Sequence, residues 1–336
     1  MKVLYIINKR TKTSIPLVWA EFINKIYPDK RVTVYSLREM LKKMFSLKRY
    51  FNIVHGHHAK SMYIYLLINK FIKLKTIYTI HGSYKYLSSQ NKRITNYIFR
   101  EADHIVFVNK ALFDAIPEKQ KKIIGDKYSI ILNGVDYKYD FRLIDVYNKY
   151  SINDSDIVLF HPARFVKEKN HVNLIKSFKK VSLLHPNVKL ILAGDGKLRE
   201  EIRKTIEEND LEQKVKLIGI IHREEVFNFL DRCQLFLMPS FSEGLNVSFL
   251  EAFSRKSNIL VSNIEQFTFP LQHYNINPAD NNIILVDPYN LKSIEDGLIS
   301  ALSLQRLKSE VNTCFSLEKM IEKYCMIYES VLKNKL

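Results

Sequence analysis

Short apolar runs alternate with amphipathic stretches along the whole chain. Six of these runs occupy the first 132 residues: KVLYII, RVTVY, NIVH, TIYTI, HIVFV and YSIIL. Six more follow residue 155: DIVLFHP, VKLILAG, VKLIGI, LFLMPS, NILVS and NIILV. Strands that alternate with helices are typical of parallel sheets in α/β proteins. We therefore predict two doubly wound domains that meet near residues 133–150, with ligands bound outside the carboxyl ends of the strands, in a cleft between the two sheets.

The stretch PSFSEGLNVSFLEAFS, residues 239–254, combines two carboxylates with an apolar segment. Gly244 and Asn246 suit a turn and an N-cap, so we predict a buried helix that begins after Asn246. The amides at such a helix N-terminus bind anions. Because helical side chains lean toward the N-terminus, Glu251 can reach back toward a ligand there, while Glu243 stands at the mouth of the loop. Carboxylates beside an anion site indicate a ligand with phosphate and hydroxyl groups, such as a phosphorylated sugar or a nucleotide-sugar.

A second stretch, LFHPARFVKEKNHVNLIKSF, supplies cations. Arg164 follows the first strand of the second half, and Lys169 precedes the next helix. Both can converge on a diphosphate from the same edge of the sheet. An alternative remains open, because buried glutamates also form structural ion pairs, and Arg164 could pair with Glu243 or Glu251.

Three other motifs carry less weight. NDSD, residues 153–156, contains the D-x-D of a metal site, but it precedes a strand where the motif should follow one. GDGK, residues 194–197, lacks the third glycine of a dinucleotide-binding loop and the spacing of a Walker loop, so we interpret it as a strand-to-helix turn. HGHH, residues 55–58, has no carboxylate or cysteine nearby to complete a zinc site. We predict no metal site.

The net charge of +17 is concentrated in the first half of the chain. Residues 1–140 hold 26 lysines and arginines against 10 acidic residues, whereas residues 141–336 hold 26 against 25. Residues 40–100 contain twelve basic residues and no acidic residue. A solvated basic face would explain a smaller and more even excess. The concentration indicates an anionic partner, which is a membrane surface, a nucleic acid or a phosphorylated acceptor.

The segment SLREMLKKMFSLKRY, residues 36–50, places apolar and basic side chains on opposite sides of a predicted helix. The apolar positions are Leu37, Met40, Leu41, Met44 and Phe45, and the basic positions include Lys42, Lys43, Lys48 and Arg49. Two interpretations fit this pattern. The helix either packs its apolar face on the core and leaves a solvated basic face, or docks on an anionic membrane.

Composition places the protein among soluble or peripheral proteins. It has 46% apolar and 26% charged residues, and no apolar run approaches the roughly 18 residues of a membrane span. Its three cysteines form no CxxC pair, which favours a reducing cytoplasm. The apolar run at the N-terminus is too short for a secretory signal, and we expect a first strand there.

Taken together, these stretches resemble the retaining glycosyltransferases of family 4, which have the GT-B fold. The resemblance rests on R-x4-K, LAGDGKLRE, VKLIGI and PSFSEGLNVSFLEA in the second half, and on VHGHH, IHGSY, ADHIVFVNK and ILNGVD in the first. It covers nearly the whole chain, and its most specific part is Glu-x7-Glu combined with the upstream Arg/Lys pair. It implies an acceptor-binding domain over 1–138, a nucleotide-sugar-binding domain over 139–315, and a closing helix over 316–336 that returns to the first domain.

The resemblance also implies roles for the residues of the donor site. Glu243 would contact the donor sugar, assisted by Gly244 and by backbone amides around Asn246 and Val247. Glu251 would hold the ribose of the nucleotide. Many family members have glycine and proline where this chain has Asn246 and Ser248, so contacts with the sugar can differ.

Arg164 and Lys169 would bind the diphosphate, and His81, in the HG that follows a first-half strand, would lie near the reacting carbon. The implied reaction transfers a sugar with retention of configuration. The leaving phosphate helps to deprotonate the acceptor, and neither a metal nor another cofactor takes part. Many members also carry a glycine-rich loop after the first strand, where this chain has NKRTKTSIP, whose Lys9, Arg10 and Lys12 could bind an anion.

The leading hypothesis is a cytoplasmic enzyme, peripheral on the inner membrane face, that builds a bacterial surface polysaccharide such as O-antigen. Its expected partners are a nucleotide-sugar, a polyprenyl-diphosphate-linked saccharide and the anionic membrane surface. A GT-B nucleotide-sugar epimerase is the alternative within the fold, and it would not need a basic membrane face. A basic nucleic-acid-binding protein is the alternative from another class, but no nucleic-acid-binding motif is present.

Overall fold

Two compact units make up the protein, as seen in a computed structural model that describes residues 1–8, 15–244, 246–307 and 313–333. The first unit consists of Met1–Gly134 together with the C-terminal segment from Leu317, and the second is Val135–Ser316. Each unit has its own parallel sheet and its own hydrophobic core.

The first unit is built on a sheet of six parallel strands, ordered β2-β1-β3-β4-β5-β6. The strands are β1 Lys2–Ile7, β2 Arg31–Ser36, β3 Ile53–Gly56, β4 Lys75–Ile80, β5 His104–Phe107 and β6 Tyr128–Ile130. The helices are α1 Ile15–Ile26, α2 Leu37–Lys42, α3 Leu47–Tyr50, α4 Ala59–Ile72, α5 Ser89–Glu101, α6 Lys110–Asp114 and α7 Glu118–Ile124, with 3-10 turns at Met44–Ser46 and Tyr84–Tyr86. Every residue from Val3 to Ile7 is buried, as expected of a parallel strand that is covered on both faces.

The second unit has a sheet of six parallel strands in the order β12-β11-β10-β7-β8-β9. Its strands are β7 Ile157–Pro162, β8 Val188–Ala193, β9 Val215–Gly219, β10 Leu235–Met238, β11 Ile259–Ser262 and β12 Ile283–Val286. Its helices are α8 Val146–Lys149, α9 His171–Leu184, α10 Arg199–Glu207, α11 Arg223–Arg232, α12 Val247–Ser254, α13 Glu265–His273 and α14 Leu291–Leu302, with 3-10 turns at Lys167–Lys169 and Ala279–Asn281.

Each sheet has a point where the strand order reverses. In the second unit the chain runs from β7 out to β9 and then returns to the other side of β7 with β10. In the first unit the reversal lies between β1 and β3. Ligands of open α/β sheets bind outside the carboxyl ends of the strands at such a switch point. The fold therefore marks the loops after β7 and β10 as the first place to look for a site.

The strand predictions from sequence are confirmed. All twelve predicted strands are present, and their ends differ from the predicted ends by two residues or fewer. The two doubly wound α/β domains are confirmed with them.

The predicted continuous helix over residues 36–50 is wrong. A capping box between Ser36 and Glu39 starts α2, which ends at Lys42. The hydroxyl of Ser46 then donates to the carbonyl of Lys43 at 2.9 Å, and such local side-chain bonds compete with helix formation. The segment continues as the 3-10 turn and α3.

A long helix near the C-terminus, α15 Leu317–Lys333, completes the first unit. It packs beside α1, and it adds two buried phenols to the core. The hydroxyl of Tyr328 hydrogen-bonds to that of Tyr5 at 2.8 Å and to Nδ1 of His55 at 2.9 Å. Nε2 of His55 hydrogen-bonds to Oγ1 of Thr79 at 2.7 Å. A fully buried polar network thus ties α15 to three central strands.

Tyr328→Phe should lower the free energy of unfolding of the first unit by about 1–3 kcal/mol, because Tyr5 and His55 each lose a buried partner. Trp19 is the only tryptophan in the chain and is 2% exposed within this unit. Urea unfolding followed by its fluorescence therefore reports on this unit. Tyr86→Phe is the control, because Tyr86 is 51% exposed. Equal midpoints for the two variants would show that the network adds no stability.

Candidate active site

A buried ion pair lies at the switch point of the second unit. Lys169 ends the 3-10 turn after β7, and Glu243 lies in the loop after β10. Nζ of Lys169 donates to Oε1 of Glu243 at 2.5 Å, and the two side chains are only 12% and 6% exposed. Because both charges are largely removed from water, each serves as the counter-charge of the other. Breaking the pair therefore requires that a ligand supply a replacement for the lost partner. The two residues that the sequence assigned to diphosphate and sugar are therefore in direct contact.

Asn246 links this ion pair to the helix that follows. Its Oδ1 accepts hydrogen bonds from the amides of Ser248 and Phe249 at 2.8 and 3.3 Å, which makes it the N-cap of α12. Its Nδ2 donates to the second oxygen of Glu243 at 3.1 Å. The helix begins at Val247, so the predicted start after Asn246 is confirmed. The cap leaves the amides of Asn246 and Val247 as those an anion could use at this helix end.

The loop that carries Lys169 is fixed by its neighbours. Asn170 adopts a left-handed conformation (φ 58°), and its Nδ2 donates to the carbonyls of Pro239 and Pro288 at 2.9 and 2.8 Å. The amide of Phe241 donates to the carbonyl of Glu168 at 2.8 Å. The loops after β7, β10 and β12 are thus cross-linked, and the lysine is held in place before a ligand arrives.

The loop after β8 also packs closely on the loop after β7. A Cβ on Gly194 would lie 2.0 Å from the carbonyl oxygen of Ala163, and a Cβ on Gly196 would lie 2.4 Å from that of Phe165. Gly194 in addition has a φ of +153°. GDGK therefore forms the close strand-to-helix turn predicted from the sequence, and its glycines allow the contact.

The second glutamate of the motif has a different cation. Nε of Arg223, at the start of α11, donates to Oε1 of Glu251 at 2.8 Å. Burial raises the pKa of Glu251, and the charge of Arg223 opposes that rise. The guanidinium also lies over the ring of Tyr139, 4.7 Å from its centroid, which fixes its orientation. Within the described residues Oε2 of Glu251 has no hydrogen bond, and it can accept one from a ligand hydroxyl.

Arg164 lies outside these contacts. It is exposed, and within the described parts of the chain its guanidinium makes no hydrogen bond or ion pair. In the structure Lys169 forms an ion pair with Glu243, and Arg223 forms one with Glu251. Arg164 pairs with neither glutamate. Gly244 is half-buried directly after Glu243.

In the first unit, histidines gather at the carboxyl ends of β3 and β4. His81 follows β4 and is half-buried, and His57 follows β3 and is 4% exposed. Nδ1 of His57 lies 3.3 Å from Nε2 of His81, and Trp19 packs beside both rings. His55, within β3, stacks obliquely on His57 with 4.2 Å between centroids. Burial lowers the pKa of His81 to about 4, so this imidazole is neutral at pH 7.

The basic segment of residues 37–50 is a surface element. Its basic side chains are exposed at Lys42, Lys43, Lys48 and Arg49, and only Met40 and Leu47 are buried. Phe45 is 94% exposed and Leu41 39%. The core-facing interpretation requires that all of these apolar side chains face the core, and the exposed Phe45 and Leu41 do not.

Within the described residues, no three His, Cys, Asp or Glu side chains come together as a metal site would require. In the NDSD segment, Asp154 pairs with Arg232 and Asp156 accepts the amide of Asn153. Also within the described residues, no helix is both long enough and apolar enough to cross a membrane. The cluster Lys9, Arg10 and Lys12 lies outside the described residues.

Three residues of these sites escaped sequence reasoning. Arg223 begins a helix 28 positions before Glu251, and no local motif marks it. Asn170 looks like an ordinary residue before a helix, yet it holds the lysine loop. His57 belongs to the HGHH stretch, which was weighed as a zinc motif and as part of the family resemblance but was given no role in the site. The signal that could have found it is its position after β3, because β3 and β4 are neighbours and their carboxyl ends lie side by side.

Two family matches divide the sequence. Residues 146–313, half of the chain, match the family described as "Glycosyl transferases group 1". Residues 13–139 match "Glycosyltransferase Family 4". The second match covers most of the first unit and ends five residues beyond its boundary at Gly134, and the first match lies within the second unit.

Curated relatives agree with these families. The chain is 24% identical over 338 aligned residues to N-acetyl-alpha-D-glucosaminyl L-malate synthase of Bacillus anthracis, with 93% of this chain and 87% of that protein covered. It is also 24% identical to alpha-monoglucosyldiacylglycerol synthase of Acholeplasma laidlawii, with 68% of this chain and 62% of that protein covered.

Solved structures share the fold at low identity. The Anabaena protein HepE, in complex with UDP and glucose, has a TM-score of 0.77 and 16% identity, with 98% of this chain and 100% of that chain covered. Sucrose-phosphate synthase from Thermosynechococcus elongatus has a TM-score of 0.77 and 13% identity, with 99% of each chain covered. From these family matches and this fold, the chain belongs to the glycosyl transferases of group 1 and has the GT-B fold.

Proposed function

We propose that this GT-B glycosyltransferase takes a sugar from a nucleoside-diphosphate sugar and transfers it, with retention of configuration, to a lipid-linked saccharide. The observation that supports this most is the Lys169–Glu243 pair at the switch point of the second sheet, next to the N-terminus of α12. One cation, one carboxylate and the amides at a helix N-terminus, all at one sheet edge, match a ligand with a diphosphate and hydroxyl groups.

In the proposed donor complex the diphosphate binds Lys169 and the amides at Asn246 and Val247. Glu243 then accepts hydrogen bonds from sugar hydroxyls, because the diphosphate has taken over the charge of Lys169. Arg164 is exposed at the same edge, and we propose that it closes on the diphosphate. The solved structures of Anabaena HepE, in complex with UDP alone or with UDP and glucose, support a nucleotide-sugar donor.

Glu251 is proposed to hold the ribose. One of its oxygens is taken by Arg223, and the other has no hydrogen bond within the described residues. A carboxylate with one oxygen fixed offers the other at a defined position to a 2′- or 3′-hydroxyl. The ion pair with Arg223 opposes the rise in the pKa of Glu251 that burial causes, and so favours the charged carboxylate, which makes the stronger hydrogen bond.

For the chemical step we propose that the leaving diphosphate accepts the proton of the acceptor hydroxyl on the same face of the sugar. Lys169 and the amides of α12 stabilise the charge that develops on the diphosphate. These groups do the work that a divalent cation does in other transferases, so the proposed reaction needs no metal or other cofactor. His81 is proposed to contact the donor sugar near the reacting carbon.

The acceptor is proposed to be a saccharide on a polyprenyl diphosphate, met at an anionic membrane surface on the cytoplasmic side, in the synthesis of a surface polysaccharide. Phe45 is 94% exposed in the turn between α2 and α3, and four exposed basic residues flank it: Lys42, Lys43, Lys48 and Arg49. An exposed aromatic residue within a basic surface suits the boundary between lipid headgroups and acyl chains. The product in the name of the Acholeplasma relative, a glucosyldiacylglycerol, is a lipid.

A second exposed phenylalanine supports this surface. Phe71, near the end of α4, is 87% exposed and lies between the exposed Lys70 and Lys73. The connections from β2 to β3 and from β3 to β4 run in the same direction across the sheet. Right-handed crossovers therefore place both connections, and with them both phenylalanines, on one face of the sheet. A shared surface of this kind favours a transferase that docks on a membrane over an epimerase, which would need no membrane partner.

Lys169→Ala and Glu243→Ala should each lower the rate of transfer by roughly 100-fold or more, because each removes a charge that the transition state needs. Release of nucleoside diphosphate in the presence of acceptor measures the rate, with EDTA in every assay. Lys167→Ala is the control, because this lysine is exposed in the same turn. Near-normal turnover in either site variant, with folding verified by circular dichroism, would contradict the donor site.

Arg223→Gln should make donor binding depend more strongly on pH. Burial raises the pKa of Glu251 and Arg223 opposes this, so loss of the arginine raises that pKa further. In the variant the carboxylate of Glu251 then becomes protonated at a higher pH than in the wild type. When the pH is lowered, the KM of the variant for the donor should therefore begin to rise at a higher pH than the KM of the wild type. KM measured from pH 5 to 8.5 tests this, and Glu251→Gln, which cannot titrate, should lack the dependence. Superimposable profiles for wild type and Arg223→Gln would contradict the role of Glu251.

Changing Lys42, Lys43, Lys48 and Arg49 together to Gln should lower binding to anionic vesicles by tenfold or more, because each basic residue contributes about 1 kcal/mol at such a surface. Phe45→Ser should lower it as well. Co-sedimentation with vesicles that contain phosphatidylglycerol measures the binding, at two salt concentrations. A variant with the same change in charge on the second unit, with Lys176, Lys180, Arg203 and Lys204 changed to Gln, is the control. Equal loss in both quadruple variants would show a bulk effect of charge and contradict a docking surface.

A further inference from the structure

Two neutral histidines of the first unit share one hydrogen bond. Nδ1 of His57 lies 3.3 Å from Nε2 of His81, and the rings are nearly parallel with 5.6 Å between centroids. The other nitrogen of His57, Nε2, is buried and has no hydrogen-bond partner among the described residues. Because Nε2 of His81 faces His57, Nδ1 is the atom of His81 that remains for a ligand.

The surroundings keep both rings uncharged. Burial lowers the pKa of His57, and the imidazoles of His55, His58 and His81 lower it further. Burial and His58 lower the pKa of His81 to about 4. The other titratable group in ring contact with His57 is the phenol of Tyr5, whose pKa burial raises, so it too is neutral. No carboxylate among the described residues acts on either pKa.

With both rings neutral, the single proton between them can belong to either nitrogen. If His81 donated from Nε2, His57 would have to carry its own proton on Nε2, and a buried N–H would point at nothing. If His57 donates from Nδ1, its Nε2 is a bare acceptor. An unpaired buried N–H is rarer in proteins than an unpaired acceptor. The second arrangement is therefore the stable one.

We propose that His57 is a positioning residue that holds His81 as the Nδ1–H tautomer, so that His81 offers the donor sugar a hydrogen-bond donor and not a base. The inference rests on the proposed function for the position of His81 next to the sugar. It also deepens that function, because a neutral N–H can bind a sugar oxygen but cannot take the proton of the acceptor hydroxyl. That proton is left to the leaving diphosphate.

Histidine-selective ¹⁵N NMR of the intact protein tests the tautomer without any substrate. Chemical shifts of the ring nitrogens distinguish protonated from bare nitrogen, and His57→Asn and His81→Asn assign the signals. Near pH 7 we expect both His57 and His81 to be protonated on Nδ1 alone. A proton on Nε2 of His57, or a charged ring at either position, would overturn the proposal. Absence of transfer with every nucleotide-sugar tried would instead contradict the proposed function.

Kinetics test the consequence. Asparagine can donate from nearly the same point as Nδ1, so His57→Asn should keep kcat within about threefold, whereas His57→Phe should lower kcat about tenfold with little change in the KM for the donor. In a His81→Ala background, His57→Phe should cause no further loss, because the residue acts through His81. Equal losses for Asn and Phe, or a further loss in that background, would overturn the positioning role. Trp19 fluorescence verifies that each variant is folded, since the indole lies against both rings.

Discussion

The ion pair of Lys169 and Glu243 is the interaction on which the candidate site depends. Both side chains are almost out of contact with water, so each needs the other's charge until a ligand supplies a replacement. The pair joins the loop after β7 to the loop after β10, and Asn246 extends the link to α12. Removal of either partner would leave a buried charge uncompensated. The geometry of this sheet edge is therefore set by electrostatics as much as by packing.

This pairing has a consequence for selectivity. A ligand with only an anionic group would pair with Lys169 and leave Glu243 without its cation. A ligand with only hydroxyl groups would bind Glu243 but would offer Lys169 no anion. In the proposed donor complex a sugar diphosphate would satisfy both partners at once, because its phosphates would pair with the cation and its hydroxyls would bind the carboxylate. Glu251 and Arg223 repeat the arrangement one helical turn further on, with one carboxylate oxygen held and the other open.

The sequence predicts the fold almost completely, because apolar strands covered on both faces leave a plain pattern, and all twelve were found within two residues at each end. It also identifies the residues that end β7 and β10 and those that open α12. It does not predict partners that are far apart along the chain, such as Arg223 with Glu251. Nor does it predict the break in residues 36–50, where helical periodicity continues through the 3-10 turn at Met44–Ser46, in which the Ser46 hydroxyl donates to the carbonyl of Lys43. Where local pattern and hydrogen bonding disagree, only the structure decides.

The return of α15 to the first unit affects how this protein is made. Tyr324 and Tyr328 close the core of a sheet whose strands all lie before residue 131, so the ribosome must translate the entire second unit before the first can be finished. Until then Tyr5 and His55 lack their phenol partner, and the part of the sheet face beneath α15 is uncovered. Domains that are contiguous in sequence can fold as they emerge. Here the second unit can be complete first, and a fragment of residues 1–134 would remain a partly open sheet.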